Sequence, residues 1–296
     1  MRVRFWGTRG SIPSPGPATV RYGGNCACVE VRTSADELFI IDAGTGIRGL
    51  GLALLPDPVS AHILLSHTHW DHISGFPFFP PAYVAGSSLT ICAPRHKDKR
   101  LEDVMAGQME YTYFPVTLAD IAAHLSYREL REECFRVGSA IVTTHYLNHT
   151  SVCIGYRIEA DGRSLVYVSD HEPYGMGLFR GSMDGAAVGR GLRDGIEHDG
   201  DQRLIDWIDG ADLLIQDTQY TPEEYPSKVG WGHGSTDYVT DVALLSSARR
   251  LALFHHDPLH DDEFVDRMVE HCRGRAAEAG SSLEVFGAAE GQGLVL

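Results

Sequence analysis

The run Ser-His-Thr-His-Trp-Asp-His at positions 66–72 is the most informative stretch of the chain for chemistry. It follows the apolar residues 63–65, so it lies where a buried strand ends and a loop begins. His67 and His69 point to the same side if the backbone stays extended, and Asp71 and His72 follow in the next turn. Imidazole and carboxylate groups together suit zinc and its first-row neighbours. The run therefore predicts a metal site at a strand end.

Three further segments place metal-binding side chains at expected strand ends. They are 143–149 with His145 and His149, 166–170 with Asp170, and 251–257 with His255 and His256. Together they add two imidazoles and one carboxylate, and which histidine of each pair takes part stays open at this point. The full set is enough for two metal ions bridged by Asp170, an arrangement used for phosphoester cleavage.

The composition limits the classes of protein to consider. A chain of 296 residues can bury a large core without disulfide support. With 25 Lys and Arg against 40 Asp and Glu, the formal charge of −15 argues against stable nucleic-acid binding, which needs a basic face. No apolar run is long enough to span a bilayer, and positions 1–7 lack the apolar region of a signal peptide. We therefore expect a cytoplasmic protein with reduced cysteines and no membrane partner.

Short β-branched runs dominate the first part of the chain, and helical patterns alternate with strands later. This order predicts a layered α/β domain with two sheets covered by helices. Expected strands are 2–6, 27–31, 38–41, 62–65, 90–92, 141–145, 151–158, 164–169, 213–216 and 251–254. Expected helices are 100–109, 202–208, 237–247 and 262–279. We predict one domain over 1–296, with an insert at about 76–130 and a Gly-rich loop at about 171–200.

These motifs resemble the metallo-β-lactamase-fold hydrolases over nearly the whole chain. The match runs in order through His67, His69, Asp71, His72, His149, Asp170 and His255. Positions 39–46 resemble the early strand of that family, which ends in Asp-x-Gly. The resemblance implies a four-layer αβ/βα sandwich of two mixed sheets flanked by helices, with the site at the edge of the two sheets. It also implies that Asp42 supports the metal-binding loop and is not itself a ligand.

Within that family the chain is most similar to the tRNase Z and cyclic-phosphodiesterase branch. The similarity rests on positions 7–11 (Gly-Thr-Arg-Gly-Ser), 155–157 (Gly-Tyr-Arg) and 232–236 (Gly-His-Gly-Ser-Thr). It implies one metal held by His67, His69 and His149, and another held by Asp71, His72 and His255, with Asp170 bridging. His149 is preferred to His145 because Gly-Tyr-Arg follows it at the spacing of the branch. His255 is preferred to His256 because it directly follows the strand 251–254.

The same branch carries an acid/base pair, which corresponds here to Asp217 and His233. A metal-bound hydroxide is expected to attack phosphorus while His233 protonates the departing oxygen, and a histidine held by a carboxylate can present that proton near neutral pH. Gly234 separates His233 from Ser235, whereas the branch has the two adjacent. The expected catalytic residues are His233, Asp217 and Asp71, of which Asp71 is also a metal ligand.

The expected function is dinuclear metal-dependent hydrolysis of a small phosphodiester, most of all a cyclic nucleotide-type substrate. The first alternative is tRNA 3′-end processing, which the charge and the absence of proline from positions 176–185 disfavour. Further alternatives are a thioester or lactam hydrolase and a catalytically silent metal-binding sensor. We expect two divalent ions, zinc ahead of manganese or iron. The resemblance leaves a homodimer open.

Two sets of side chains outside the metal-binding motifs also receive expectations. Tyr111, Tyr113 and Phe114 are expected to pack over the core, with stacking on a base as the alternative. Candidates for neutralising phosphate charge are Arg9, Arg157, Arg180, Arg190 and Arg193.

Overall fold

The computed structural model describes residues 1–175, 178 and 196–296, and in this part of the chain the strands form two seven-stranded sheets. The first sheet contains β1 (Arg2–Gly7), β2 (Cys28–Arg32), β3 (Leu38–Ile41), β4 (Ser60–Leu64), β5 (Ser88–Pro94), β6 (His124–Leu130) and β14 (Gly293–Val295). The second contains β7 (Cys134–Val137), β8 (Ala140–Leu147), β9 (Cys153–Ala160), β10 (Arg163–Val168), β11 (Leu213–Asp217), β12 (Arg250–Phe254) and β13 (Glu284–Gly287).

Both sheets mix strand directions, with a parallel half in each. The first sheet has the order β14-β1-β2-β3-β4-β5-β6, and β3 to β6 are parallel. The second has the order β13-β12-β11-β10-β9-β8-β7, and β10 to β13 are parallel. Because parallel strands end at the same edge of a sheet, the loops after β3, β4, β10, β11 and β12 can meet there.

Helices cover the outer face of each sheet. The helices α1 (Ile47–Leu54), α2 (Trp70–Ile73) and α3 (Leu101–Gly107) pack on the first sheet. The helices α4 (Asp199–Ile208), α5 (Thr236–Leu245) and α6 (Asp262–Glu278) pack on the second. Short 3₁₀ turns occur at Pro17–Thr19, Phe76–Phe78, Pro80–Tyr83, Leu118–Asp120 and Tyr225–Ser227.

The central core lies between the two sheets. Phe5 and Ile41 of the first sheet and Tyr156 and Phe254 of the second are fully buried in one apolar cluster. Alternation along each strand sends the intervening residues to the outer faces, where the helices cover them. The predicted four-layer α/β sandwich of two mixed sheets is confirmed.

The sequence pattern predicted the buried strands better than the edge strands and the short helices. Helix α1 contains two glycines in eight residues, which weakens its helical signal, and it was not expected. Strand β6 carries His, Arg and Glu and was also missed. The range 76–130, predicted as an insert, contributes both β5 and β6 to the first sheet, so the part outside the sheet is narrower than expected.

Two other predictions concern the Gly-rich loop and membrane spans. Most of the range 171–200, including Arg180, Arg190 and Arg193, lies outside the described residues, although α4 already begins at Asp199. Within the part of the chain that the structure describes, none of the helices has the length and hydropathy needed to cross a bilayer.

Candidate metal centre

The expected ligands meet at the edge where the parallel strands end. His67 and His69 follow β4, Asp170 follows β10, and His255 directly follows β12. His149 follows β8. Because β9 is antiparallel to both β8 and β10, the last residues of β8 and β10 lie at the same edge of the sheet. Because these four loops lie at this edge, residues as far apart as 67 and 255 can share one small volume.

The ligand atoms form two groups that share Asp170. The first group, here called the open group, consists of His67, His69, His149 and Asp170. The second, the buried group, consists of Asp71, His72, His255 and Asp170. Within each group the candidate ligand atoms lie within 4.8 Å of one another. His69 is the one exposed member, so the open group faces solvent.

The two oxygens of Asp170 point to different groups. Its Oδ2 lies 3.6 Å from Nε2 of both His67 and His149. Its Oδ1 lies 3.2 Å from Nε2 of His72 and 3.3 Å from Nε2 of His255. A carboxylate in this position can bridge two metal ions, with one oxygen on each.

Asp42 fixes the loop that carries the first four ligands. It directly follows β3 with φ +59, a backbone conformation that a non-glycine residue keeps at a cost of about 1–3 kcal/mol. Its carboxylate accepts hydrogen bonds from the Ser66 backbone N–H (2.7 Å), from His72 Nδ1 (2.8 Å) and from the Tyr167 hydroxyl (2.6 Å). The bond to Nδ1 leaves His72 Nε2 as the free ligand atom.

His255 and Asp71 are held by segments far away in the chain. His255 has φ +60, and its Nδ1 lies 3.2 Å from the side-chain oxygen of Gln219. A Cβ on Gly10 would lie 2.3 Å from His255 Nδ1, so the close approach of the 7–11 segment requires glycine. The Ser11 backbone N–H donates to Asp71 Oδ2 at 2.7 Å.

Different partners support the open group. The His149 Nδ1–H donates to the carbonyl of Gly232 at 2.9 Å, which directs Nε2 toward Asp170. His67 Nδ1 lies 3.1 Å from the Ser66 hydroxyl. Its Nε2 is buried and has no hydrogen-bond partner among the described residues, so a group outside the protein must satisfy it.

The protonation states of the open group fit a metal centre. Burial lowers the pKa of His67 well below its usual value, and it also lowers the pKa of His149, which keeps both rings neutral. Burial raises the pKa of Asp170, but the surrounding histidines outweigh it and hold that pKa well below its usual value. Neutral imidazoles and ionised carboxylates are the forms that bind divalent metal ions, and this donor set suits zinc, manganese or iron. In the buried group, burial lowers the pKa of His72 and His255, but the neighbouring carboxylates outweigh it and raise the pKa of both rings, so a metal ion there must displace protons.

A third cluster adjoins the ligands and contains Asp217 and His233. The ligand atoms of Asp170, Asp217, His233 and His255 lie within 4.8 Å of one another. His233 Nδ1 lies 2.8 Å from Asp217 Oδ2, and both residues are buried. Burial lowers the pKa of His233, but the Asp217 carboxylate outweighs it and raises the pKa to about 9. The pair can therefore hold a proton beside the shared ligand at neutral pH.

The structure brings every predicted site residue into these three clusters and excludes the rival histidines. His145 pairs with Glu132 at 2.9 Å and stacks on Trp207. His256 is 2.9 Å from the Ala288 carbonyl, in the opposite direction from the ligands. Gly234 does not prevent His233 from reaching Asp217, since Ser235 instead begins α5 as its N-cap.

Two of the candidates for phosphate contacts, Arg9 and Arg157, have other partners. The Arg9 guanidinium is fully buried and donates to the carbonyls of Gly23, Asp257 and His260. Arg157 donates to the carbonyls of residues 207–209 at the end of α4. Both arginines satisfy backbone groups in irregular segments, a demand that the sequence alone does not display.

Sequence reasoning missed several residues that support the ligands. Gln219 lies two positions after Asp217, and strand alternation could have placed it on the same side. Glu172 lies two positions after Asp170, and its carboxylate accepts hydrogen bonds from the loop that precedes His233. Tyr167 lies on β10 and looked like an ordinary core residue. None of these supports has a spacing motif of its own.

Comparison with known proteins agrees with this geometry. A model of the Beta-lactamase superfamily domain matches residues 38–188, a little over half of the chain. The chain belongs to this family. The matched range runs from β3 past Asp170 and so includes the loop with the first four ligands.

Relatives by sequence and by structure extend over the rest of the chain. Ribonuclease Z of Sulfurisphaera tokodaii is 25% identical over 88% of this chain and 89% of that protein. Ribonuclease Z of Lactococcus lactis subsp. lactis is 25% identical over 92% and 94% of the two chains. The metallo-beta-lactamase fold protein YhfI of Bacillus subtilis has a TM-score of 0.67 at 18% identity, covering 99% of this chain and 98% of that one. Human tRNase Z, short form, has a TM-score of 0.66 at 19% identity, covering 100% and 99%.

The predicted resemblance to the metallo-β-lactamase-fold hydrolases is thereby confirmed, and the predicted similarity to the tRNase Z branch agrees with these relatives. The predicted metal-dependent hydrolysis of phosphodiester bonds agrees with the names of these relatives, Ribonuclease Z and tRNase Z.

Proposed function

We propose that the chain hydrolyses a small, nucleotide-type phosphodiester at the two ligand groups that share Asp170, with His233 as the proton donor. The observation that carries this proposal is the Asp217–His233 pair in contact range of the shared ligand. A thioester leaves as a stable thiolate and has less need of such a donor than an alkoxide, which must be protonated as it departs.

Two divalent ions, zinc ahead of manganese or iron, would supply Lewis acidity and an activated water when bound. His67, His69 and His149 would hold one ion, and Asp71, His72 and His255 would hold the other, with Asp170 between them. Asp42, Ser11 and Gln219 keep several of these ligands in place before substrate arrives, so little reorganisation is needed at the moment of reaction.

His233 holds the proton that the leaving oxygen needs. Its Nδ1 faces Asp217, which leaves Nε2 as the nitrogen that can give its proton to the substrate. Asp217 is itself oriented by the His171 backbone N–H, which lies 3.3 Å from its Oδ2. A carboxylate fixed in this way orients the ring and stabilises its charged form.

A cavity of about 670 Å³ beside the open group supports a small aromatic substrate. Its lining includes Thr68 and Trp70, which flank the ligand His69 in the chain. Among the described residues, the charged side chains of the lining are one lysine, Lys99, and two carboxylates, Asp103 and Glu110. Tyr113 also lines the cavity and is 74% exposed, whereas Tyr111 does not line it and is 82% exposed. The expectation that these tyrosines pack over the core is therefore wrong. Phe114 packs against Phe78 with ring centroids 5.2 Å apart, and Trp70 is 67% exposed and available for stacking.

The test is to replace His233 by Ala and measure turnover and metal content together. With a cyclic nucleotide as substrate, whose leaving oxygen is an alkoxide, we expect kcat to fall about 10²- to 10⁴-fold while the bound metal stays at the wild-type level. Turnover of bis(p-nitrophenyl) phosphate should fall much less, because nitrophenolate leaves without a proton. His271→Ala is the matched control, because His271 is half-exposed and pairs with Asp237 away from the centre. Wild-type turnover in His233→Ala would remove the proton-donor role. If the fully metallated wild-type protein shows no turnover, the proposed phosphodiester hydrolysis is rejected.

RNA 3′-end processing is the second candidate, because the relatives reported above are named Ribonuclease Z. The net charge of −15 weighs against it, since RNA binding needs phosphate-neutralising side chains. Cyclic nucleotides and a precursor tRNA, compared under one metal condition, would separate the two substrates. A cytoplasmic location and a homodimer also remain proposals, to be tested by fractionation and by sedimentation.

A further inference from the structure

Glu172 is a buried carboxylate that the proposed reaction does not use. It follows Asp170 by two residues and is 8% exposed. Its Oε1 accepts from the Gly230 N–H at 2.6 Å and from the Tyr225 hydroxyl at 3.2 Å, and its Oε2 accepts from the Gly232 N–H at 2.9 Å. The carboxylate is thus the common acceptor for the 225–233 loop, which begins at the 3₁₀ turn Tyr225–Ser227 and ends at His233.

The position of this loop decides where two functional rings stand. The carbonyl of Gly232 accepts from His149 Nδ1 at 2.9 Å, and since a carbonyl can only accept, Nδ1 carries the proton. His149 Nε2 is therefore free to bind metal. The next residue is His233, which reaches Asp217. Gly232 has φ +88, and a Cβ there would lie 2.2 Å from His149 Nδ1, so the loop backbone and the ring are in direct contact.

Glu172 is also tied to the segment that carries His149. Its backbone N–H donates to the Asn148 carbonyl at 2.8 Å, and the Asn148 side-chain amide donates back to the carbonyls of Glu172 (2.9 Å) and Pro173 (3.0 Å). One residue therefore connects the loop after β8, the loop after β10 and the 225–233 loop. The other side of the 225–233 loop faces solvent, since Val229 is 45% and Trp231 is 57% exposed.

From this geometry we propose that Glu172 is a positioning residue, which holds the 225–233 loop so that Gly232 orients His149 for metal binding and His233 for proton donation. A glutamine has the same size but only one accepting oxygen, so in Glu172→Gln at least one of the Gly230 and Gly232 N–H groups would face an amide nitrogen. A buried N–H without an acceptor favours displacement of the loop. The open group, which contains His149, is then the part that loses its support.

The test measures metal affinity and turnover in Glu172→Gln, with Glu223→Gln as the matched control, because Glu223 lies in the same region and is exposed. Zinc competition with a chromogenic chelator should show affinity at the weaker site reduced on the order of 10-fold, within the range for residues that orient a ligand. With bis(p-nitrophenyl) phosphate, kcat should fall by a similar factor while KM stays within about twofold. Glu223→Gln should match the wild type in both measurements.

Equal zinc affinity and equal kcat in Glu172→Gln and the wild type would overturn the proposal. If Glu172→Gln does not fold, Tyr225→Phe decides instead, because it removes only the hydroxyl donor at 3.2 Å. Tyr225→Phe should lower zinc affinity about two- to fivefold, and unchanged affinity would overturn the proposal. Only the kcat measurement depends on the proposed function, and the zinc-affinity measurement does not. If the wild type does not hydrolyse phosphodiesters but Glu172→Gln still binds zinc more weakly than the wild type, the proposed function is rejected and the role of Glu172 is retained.

Discussion

The open and buried ligand groups share Asp170, but the protein supports them differently. In the buried group, the Asp42 carboxylate supports His72, the Gln219 amide supports His255, and the Ser11 N–H supports Asp71. In the open group, the support comes from neutral oxygens: the Ser66 hydroxyl for His67 and the Gly232 carbonyl for His149. His69 is exposed.

This difference teaches how one centre can combine a fixed metal site with access for substrate. A carboxylate behind an imidazole raises its basicity and fixes its orientation more than a hydroxyl or a carbonyl does. We therefore expect the buried group to bind its metal more tightly. We expect substrate to approach the open group, since Thr68 and Trp70, which flank His69 in the chain, line the aromatic cavity.

The largest effect should come from the residue that both groups share. Asp170→Asn should lower turnover of bis(p-nitrophenyl) phosphate by about 10³-fold, because several kcal/mol of charge stabilisation depend on both ions and about 1.4 kcal/mol corresponds to tenfold. Zinc content measured by mass spectrometry should fall as well. Asp57→Asn is the control, since Asp57 is exposed and lies before the first residue of β4, whereas the ligands follow the last residue of that strand. Two retained zinc ions and wild-type turnover in Asp170→Asn would show that Asp170 does not bridge.

A smaller effect, largest in the buried group, should follow from replacing the carboxylate behind His72. Asp42→Asn should weaken the tighter zinc site by about 10- to 100-fold, because the amide cannot replace both accepting oxygens. Ser66→Ala removes a hydroxyl near His67 and should affect affinity less. Chelator competition measures both. A larger loss in Ser66→Ala than in Asp42→Asn would reverse the comparison between the groups.

The two groups should also release their metals separately in the wild type. Titration with a chelator should remove zinc in two steps whose affinities differ by about tenfold, because only one group has a carboxylate behind its imidazole. The Glu172→Gln variant should move only the weaker step. Release of both ions in one step, with unchanged midpoint in Asp42→Asn, would mean that the supports make no difference to metal binding.

The smallest effect should appear at the substrate side of the open group. Trp70→Ala should raise KM for bis(p-nitrophenyl) phosphate about five- to tenfold with kcat nearly unchanged, since aromatic contacts contribute about 1 kcal/mol. Tyr111→Ala is the matched control, because Tyr111 is an exposed aromatic residue that does not line the cavity. Equal KM values for both variants would place the substrate elsewhere.

Ligand positions could be predicted from the sequence because they follow strands whose pattern is itself readable. His67, Asp170 and His255 each follow a short apolar run, and parallel strands bring their carboxyl ends to one edge. The pair Asp217 and His233 emerged only through the resemblance to a family branch, since a carboxylate after a strand has many ordinary roles. The structure places the two within hydrogen-bonding distance.

The supports could not be predicted, because they act through contacts between segments that are distant in the chain. Glu172 reaches Gly230 and Gly232, and Arg9 reaches Asp257 and His260. Such pairs have no periodicity or spacing, and in both cases the partner is a backbone group, which has no sequence signature. Arg9 and Arg157 were candidates for phosphate contacts for the same reason, since a cation that binds carbonyls looks identical in sequence to one that binds a ligand.

The most direct test of the two-group centre is turnover of bis(p-nitrophenyl) phosphate as zinc is added back to the metal-free protein. We predict little activity up to one equivalent, because the buried group fills first, and a rise to a maximum at two equivalents that a chelator abolishes. Full activity at one equivalent, or no activity with two ions bound, would contradict the account.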